Sequence, residues 1–210
     1  MRRMVSRGLA ATTGATAVLL LACTVLPRLL LGAADPPIGW VQDSAWPYLS
    51  VAAFVLAALM PVVMLALYEC QIEEMGVLGL IGFVASVIAY AAFLCFQFDM
   101  AFVWPVLAAR APELVDYDGP MFGDPGFAFV HSWILQLHSV CVLLFGLALI
   151  RARVLPRPAS VLLTIGLVLS AGVLFPPLVI RVVGGVLAAP AMGWMAVHLW
   201  RRVQPEEASA

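Results

Sequence analysis

Four polar side chains that could bind a ligand or move a proton lie at or near the ends of two strongly apolar segments. Gln97 and Asp99 follow one segment, and His131 and His138 lie in the next. The histidines are seven residues apart, so a helix places them on one face, two turns from each other. Amide, carboxylate and imidazole groups at one place could bind a small polar ligand, a cation or a proton. We therefore predict a candidate polar pocket formed by these four residues. The alternative is a structural role, in which His138 hydrogen-bonds a neighbouring carbonyl or Tyr90.

Charged residues in two short connections form a second candidate set. One connection carries Glu69, Glu73 and Glu74, and the other carries Arg151, Arg153 and Arg157. Opposite charges attract more strongly beside a low-dielectric region than in bulk water. The pattern predicts a charge clamp that joins the two turns. The alternative is that both turns are solvated, because exposed ion pairs contribute only about 0–1 kcal/mol.

The composition indicates the solvent in which these segments reside. Of the 210 residues, 64% are hydrophobic and 11% are charged, whereas soluble domains average about 45–50% apolar and about 25% charged residues. One small soluble core cannot bury so much apolar surface, so the predicted partner of the chain is a lipid bilayer. The net charge of −1 gives no reason to expect nucleic-acid binding. A membrane-protein partner or a homo-oligomer stays open.

Six apolar stretches approach the roughly 20 residues that a membrane-spanning helix needs. Hydrocarbon offers backbone amides no hydrogen-bond partners, so each stretch must cross it as a helix. We expect an all-α, polytopic transmembrane helical bundle that forms a single domain over residues 1–210. The predicted helices lie near residues 10–31, 48–68, 76–98, 128–150, 159–176 and 182–200.

The arginines predict the orientation of this bundle, because basic loops stay in the cytoplasm. With six spans, one side receives Arg2, Arg3, Arg7, Arg151, Arg153, Arg157, Arg201 and Arg202. The opposite side has three arginines and most of the aspartates. We expect both termini to be cytoplasmic, in a bacterial plasma (inner) membrane. The long outer loop, 99–126, contains the run VWPVLAARAPELV. That run predicts a short helix on the outer surface above the pocket, and the alternative is a disordered loop.

The sequence lacks the patterns of several well-known sites. It has no HExxH or GxSxG motif and no Gly-rich phosphate loop. The four cysteines never occur in a CxxC spacing. Two histidines on one helix cannot ligate a single haem from opposite faces. We predict no metal site, no cofactor and no catalytic residues.

Three segments carry a resemblance: GVLGLIGFVASVIAYAAFL, VWPVLAARAPELV and LFGLALIRARVLPRPASVLLTIGLVLS. Together they resemble uncharacterised six-helix multi-pass membrane proteins of bacteria, particularly those with actinobacteria-like genomes. The likeness covers predicted helices three to five, and its sharpest part is the turn RARVLPRP. The resemblance implies no substrate and transfers no functional residue.

Three functions follow from these observations. The first is a non-enzymatic accessory or regulatory membrane component, which a sealed, tightly packed bundle would favour. The second is a small permease or channel-like transporter with an outward-facing polar pocket, favoured by a continuous polar cavity. The third is a membrane enzyme acting on a lipid or quinone, with His131, His138 and Asp99 as acid–base groups. A side opening to lipid beside His138 would favour the enzyme.

Overall fold

The chain forms helices throughout the part that its structure, a computed structural model, describes. Residues 2–31, 37–116, 118–170 and 178–203 are described. Within those ranges the protein is 90% helical and contains no strand. The all-α class is therefore confirmed. The α-helices are α1 (Arg2–Leu30), α2 (Pro37–Val41), α3 (Trp46–Glu69), α4 (Ile72–Phe98), α5 (Trp104–Arg110), α6 (Pro120–Gly123), α7 (Pro125–Ala152), α8 (Arg157–Ser170) and α9 (Leu178–Val203).

Five segments of the described chain are long and apolar enough to cross a membrane. They are Arg7–Pro27, Trp46–Glu69, Ile72–Arg110, Pro125–Ala152 and Val179–Arg202. Large apolar side chains point outward along these helices, such as Val77 at 74% exposure, and this surface fits contact with lipid. The predicted fifth span is described only as the shorter helix α8, because residues 171–176 lie outside the described ranges.

All six long helices begin before the predicted stretches, and two of these starts have a clear local cause. Helix α3 begins two residues early, at Trp46, and α7 begins three residues early, at Pro125. Proline suits the first turn of a helix, where no amide hydrogen is needed. Asp124 caps α7, since its carboxylate accepts a hydrogen bond of 2.8 Å from the Phe127 amide. Proline in the first turn of both helices, together with the Asp124 cap in α7, extends them beyond the apolar stretches.

The six long helices α1, α3, α4, α7, α8 and α9 close into a ring. Each packs against the helix before it and the helix after it in this order, and α9 packs back against α1. We call this arrangement the six-helix ring. Close approach within it depends on small residues. A Cβ atom on Gly82 of α4 would lie 2.9 Å from the Phe145 Cα of α7, and one on Gly184 of α9 would lie 2.7 Å from the Gly166 oxygen of α8.

Helix α5 lies within the segment VWPVLAARAPELV and continues from α4. Helix α5 follows a π-helical segment, Asp99–Val103, in which the Trp104 amide donates to the Asp99 oxygen five residues earlier. Pro105 has no amide hydrogen to donate, so the regular α-helical pattern cannot pass through it. A 3₁₀ turn, Pro112–Leu114, follows α5. The location of this segment at a membrane surface stays a prediction.

Candidate functional site

A cavity of about 570 Å³ lies inside the six-helix ring. Every long helix contributes to its wall, and each contributes from the same end. The lining residues lie between positions 20–31, 46–60, 90–97, 131–138, 167–170 and 181–182, with Trp40, Met100 and Trp104 beside them. We call this end the cavity half of the ring and the opposite end the packed half.

The packed half is filled by large side chains with almost no exposed surface. They come from α3, α7, α8 and α9: Val63, Met64, Leu67, Phe145, Leu149, Leu163, Met192 and Met195. The Ser86 hydroxyl joins α4 to α7 at this level, because it donates a hydrogen bond of 3.0 Å to the Cys141 oxygen. The cavity therefore has a closely packed apolar floor.

Three of the four predicted pocket residues line the cavity. Gln97, His131 and His138 belong to its wall, whereas Asp99 does not and is exposed. Gln97 and Asp99 are two residues apart, which places them about 200° apart around a helix. They share a level of the bundle but lie on different faces.

His138 lies deep in the wall with no hydrogen-bond partner. Its side chain is 5% exposed, and both ring nitrogens are buried and unpaired among the described residues. The Tyr90 ring meets it edge-on at 4.5 Å between centroids, and the Phe93 ring stacks at 5.0 Å. The structure thus brings Tyr90 to His138 through a ring contact and not through the hydrogen bond that the structural alternative expected.

Buried serine and threonine hydroxyl groups in the bundle differ from His138 in having partners. Thr13 and Thr164 each donate to the carbonyl four residues earlier, at 2.8 Å and 2.7 Å, and Ser50 donates to the Trp46 oxygen at 2.8 Å. Buried polar groups in proteins are nearly always paired, so an unpaired one calls for an explanation. Both nitrogens of His138, in the wall of the cavity, lack a partner among the described residues.

His131 lies nearer the mouth of the cavity, about 10 Å from His138 along the helix axis. It is partly exposed and is surrounded by the rings of Phe96, Phe122 and Phe127, at centroid distances of 4.7 Å, 5.7 Å and 5.9 Å. Its aromatic neighbours come from three different helices. His131 therefore joins α4, α6 and α7 at the cavity end.

Tryptophans cover the cavity end of the ring. Trp46 and Trp104 are buried and pack in one apolar cluster with Val41, Ala108 and Val115. The Trp46 indole nitrogen donates a hydrogen bond of 3.2 Å to the Met100 oxygen, which ties α3 to the π-helical segment. The segment after α4 thus closes over the cavity, and its indole rings form part of the wall.

Arg181 carries the one charge in the described part of the cavity wall. It is exposed, near the start of α9. Arg181 is one of the three arginines on the predicted outer side, and nothing in the local sequence marks it as a wall residue. Gln136 also lines the cavity, and its place between the two histidines in the sequence could have predicted this.

No described carboxylate lines the wall, so the geometry does not favour a cation as the ligand. Within the described residues, no group of three His, Cys, Asp or Glu side chains is placed to bind a metal ion.

The predicted charge-clamp residues lie at the packed end. Among the described contacts, no ion pair joins the glutamates of the α3–α4 turn to the arginines of the α7–α8 turn. The second turn is instead bound by Arg202 of α9, which donates a hydrogen bond of 2.8 Å to the Val154 oxygen. In the first turn, burial raises the pKa of the Cys70 thiol to about 11, and the positive charge of Arg202 partly opposes this rise. The clamp stays a prediction without an observed contact.

Comparison with protein-family models, with curated proteins and with solved structures finds no match to this chain.

Proposed function

We propose that this chain is a six-span protein of the bacterial plasma membrane with both termini in the cytoplasm, related to the uncharacterised bacterial proteins that it resembles. Arginine placement supports this topology, and α8 with the apolar sequence after it would form the fifth of the six spans. Reporter fusions at the two termini test the proposal. Both reporters should give the cytoplasmic signal, and signals from opposite sides would overturn it.

We further propose that the protein binds a largely apolar small molecule as a non-enzymatic accessory or regulatory membrane component. The observation that carries this proposal is the 570 Å³ cavity in one half of the six-helix ring. Small-molecule sites in proteins are typically about 300–1,000 Å³, mostly apolar, with a few polar groups that orient the ligand. This cavity meets each criterion.

The floor of the cavity favours binding over conduction. A pathway for ions or sugars needs a polar lining that continues through the bundle. Below Met60 and Tyr90, the centre of the ring is filled by packed side chains such as Met64, Phe145 and Met192. The polar lining ends there, so the permease or channel-like alternative gains no support.

The positions of the polar groups also favour binding over catalysis. An acid–base pair must reach the same reacting atoms within hydrogen-bond distance. His131 and His138 are about 10 Å apart along α7, and Asp99 lies outside the wall. The predicted acid–base set of a membrane enzyme is therefore not assembled at one place.

Native mass spectrometry of the protein in lipid nanodiscs tests the binding proposal. Ala53 faces the cavity on α3, so Ala53→Phe should fill it, and Ala58→Phe on the exposed side of α3 is the matched control. We expect a bound small molecule on the wild type and on the Ala58→Phe variant, and its loss from Ala53→Phe. Equal occupancy of all three proteins would contradict the proposal, and so would an unliganded wild type.

A further inference from the structure

We infer that the cavity is built for a flat, uncharged ring that carries carbonyl or hydroxyl oxygens, as quinones and phenols do, and that His138 hydrogen-bonds one of those oxygens. This inference rests on the proposed binding function and names the chemical class of the ligand.

The imidazole of His138 has no hydrogen-bond partner among the described residues. A neutral histidine has one nitrogen that donates a hydrogen bond and one that accepts, and neither nitrogen of His138 has a partner in the described structure. Tyr90, in ring contact with His138, also makes no hydrogen bond within the described residues. Both side chains line the cavity. A ligand oxygen that reaches His138 would restore a bond that the protein does not supply.

The deep part of the described cavity wall, where His138 lies, contains no charged residue. On the other helices, the wall residues nearest the packed half are apolar or aromatic: Leu20, Ala57, Met60, Phe93 and Leu167. Transfer of an ionised group into such surroundings costs several kcal/mol unless an opposite charge meets it. No carboxylate lines the described wall, and Arg181 is at the exposed start of α9. The group that reaches His138 is therefore uncharged.

Aromatic side chains line much of the cavity wall, and they favour a ligand with a flat ring. Phe93, Phe96, Trp46 and Trp104 surround the cavity together with Tyr90. Aromatic rings attract one another in offset or edge-on arrangements with centroids about 4.5–7 Å apart. The stack of Phe93 on His138 shows that the wall already accommodates this geometry.

A matched pair of probes tests the inference: 2,3-dimethyl-1,4-naphthoquinone and 2,3-dimethylnaphthalene, which has the same ring system without the oxygens. Binding is measured by isothermal titration calorimetry in detergent, with the Ala53→Phe variant as the blank for partitioning into micelles. The wild type should bind the quinone at least about tenfold more tightly than the hydrocarbon, the equivalent of one or two net hydrogen bonds.

Two variants of His138 separate recognition from folding. In His138→Phe, the preference for the quinone should fall to within about twofold while the hydrocarbon affinity is kept, because the shape of the wall is kept and the hydrogen bond is lost. His138→Gln retains a donor and an acceptor and should keep most of the preference. Retained hydrocarbon binding shows that a variant is folded.

The outcomes distinguish this inference from the proposed function. Equal wild-type affinities for the two probes, or a quinone preference that survives in His138→Phe, would overturn the ligand class while leaving small-molecule binding in place. Failure of both probes to bind above the blank would overturn the ligand class too. If native mass spectrometry then also found the wild type empty, the proposed function would fall with it.

Discussion

In the packed half of the six-helix ring, Met64, Phe145 and Met192 fill the centre with almost no exposed surface. In the cavity half, the same helices surround about 570 Å³, and the His138 imidazole has no hydrogen bond among the described residues. Stability alone would favour the first arrangement along the whole ring. The difference supports our proposal that one half holds the helices together and that the other half is shaped for an occupant.

The largest expected difference between the halves is the effect of a truncated phenylalanine. Phe145→Ala removes a fully buried side chain from the packed half and should lower the free energy of unfolding by about 3–5 kcal/mol. Phe96→Ala, in the partly exposed wall of the cavity half, should cost about 1 kcal/mol, because the space beside it is already open. Unfolding by SDS in mixed micelles measures both. Equal losses would remove the distinction between the halves.

The close approach of α4 and α7 gives the next effect. Gly82→Leu places a side chain against the Phe145 backbone and should cost about 1–3 kcal/mol or more, through overpacking. Gly8→Leu on α1 is the control, since a Cβ atom there would meet nothing within 4 Å. Thermal unfolding in detergent compares the two variants. A harmless Gly82→Leu would show that α4 and α7 are farther apart than described.

The unpaired histidine should have an effect of opposite sign. His138→Phe replaces two buried, unpaired nitrogens by an apolar ring, so the ligand-free protein should gain about 1–2 kcal/mol of stability. Trade-offs of this sign are common where a site serves function at the expense of stability. The measurement is SDS unfolding after the protein has been stripped of bound molecules. A loss of stability would mean that His138 has a structural partner in the membrane.

The smallest effects are expected at the charged turns. Arg202→Ala removes the hydrogen bond to the Val154 oxygen and should cost about 0.5–1 kcal/mol. Arg151→Glu should cost less, because no ion pair holds Arg151 in the described structure. The charge clamp predicts the reverse: a clear loss of thermal stability for Arg151→Glu that a second change, Glu73→Arg, restores. Thermal unfolding of the two single variants and the double variant decides between them.

Hydropathy was sufficient to predict the helical class and the approximate positions of the long helices, because hydrocarbon forces apolar segments of that length to form helices. It misplaced the starts of α3 and α7, where Pro47 and Asp124 extend the helices into more polar sequence. It also did not predict the π-helical segment before Pro105. That segment depends on a local hydrogen-bond pattern and not on hydropathy.

The candidate site was predictable only in part. The seven-residue spacing of His131 and His138 predicts that they share one face, and both line the cavity. Asp99 was grouped with them by its level along the helix, although its face differs from that of Gln97. Arg181 could not be assigned to the wall, because its position depends on how α9 closes the ring against α1 and α8. Packing between distant segments decides such contacts, and a single sequence does not show it.

An experimental density map of the protein in lipid nanodiscs, purified without added ligand, tests the central claim most directly. We expect non-protein density inside the cavity half of the six-helix ring, between Trp104 and Tyr90, with an atom of the bound molecule within hydrogen-bond distance of a His138 nitrogen. A ring that has closed on itself, with His138 bonded to a protein group and no enclosed space left, would contradict it.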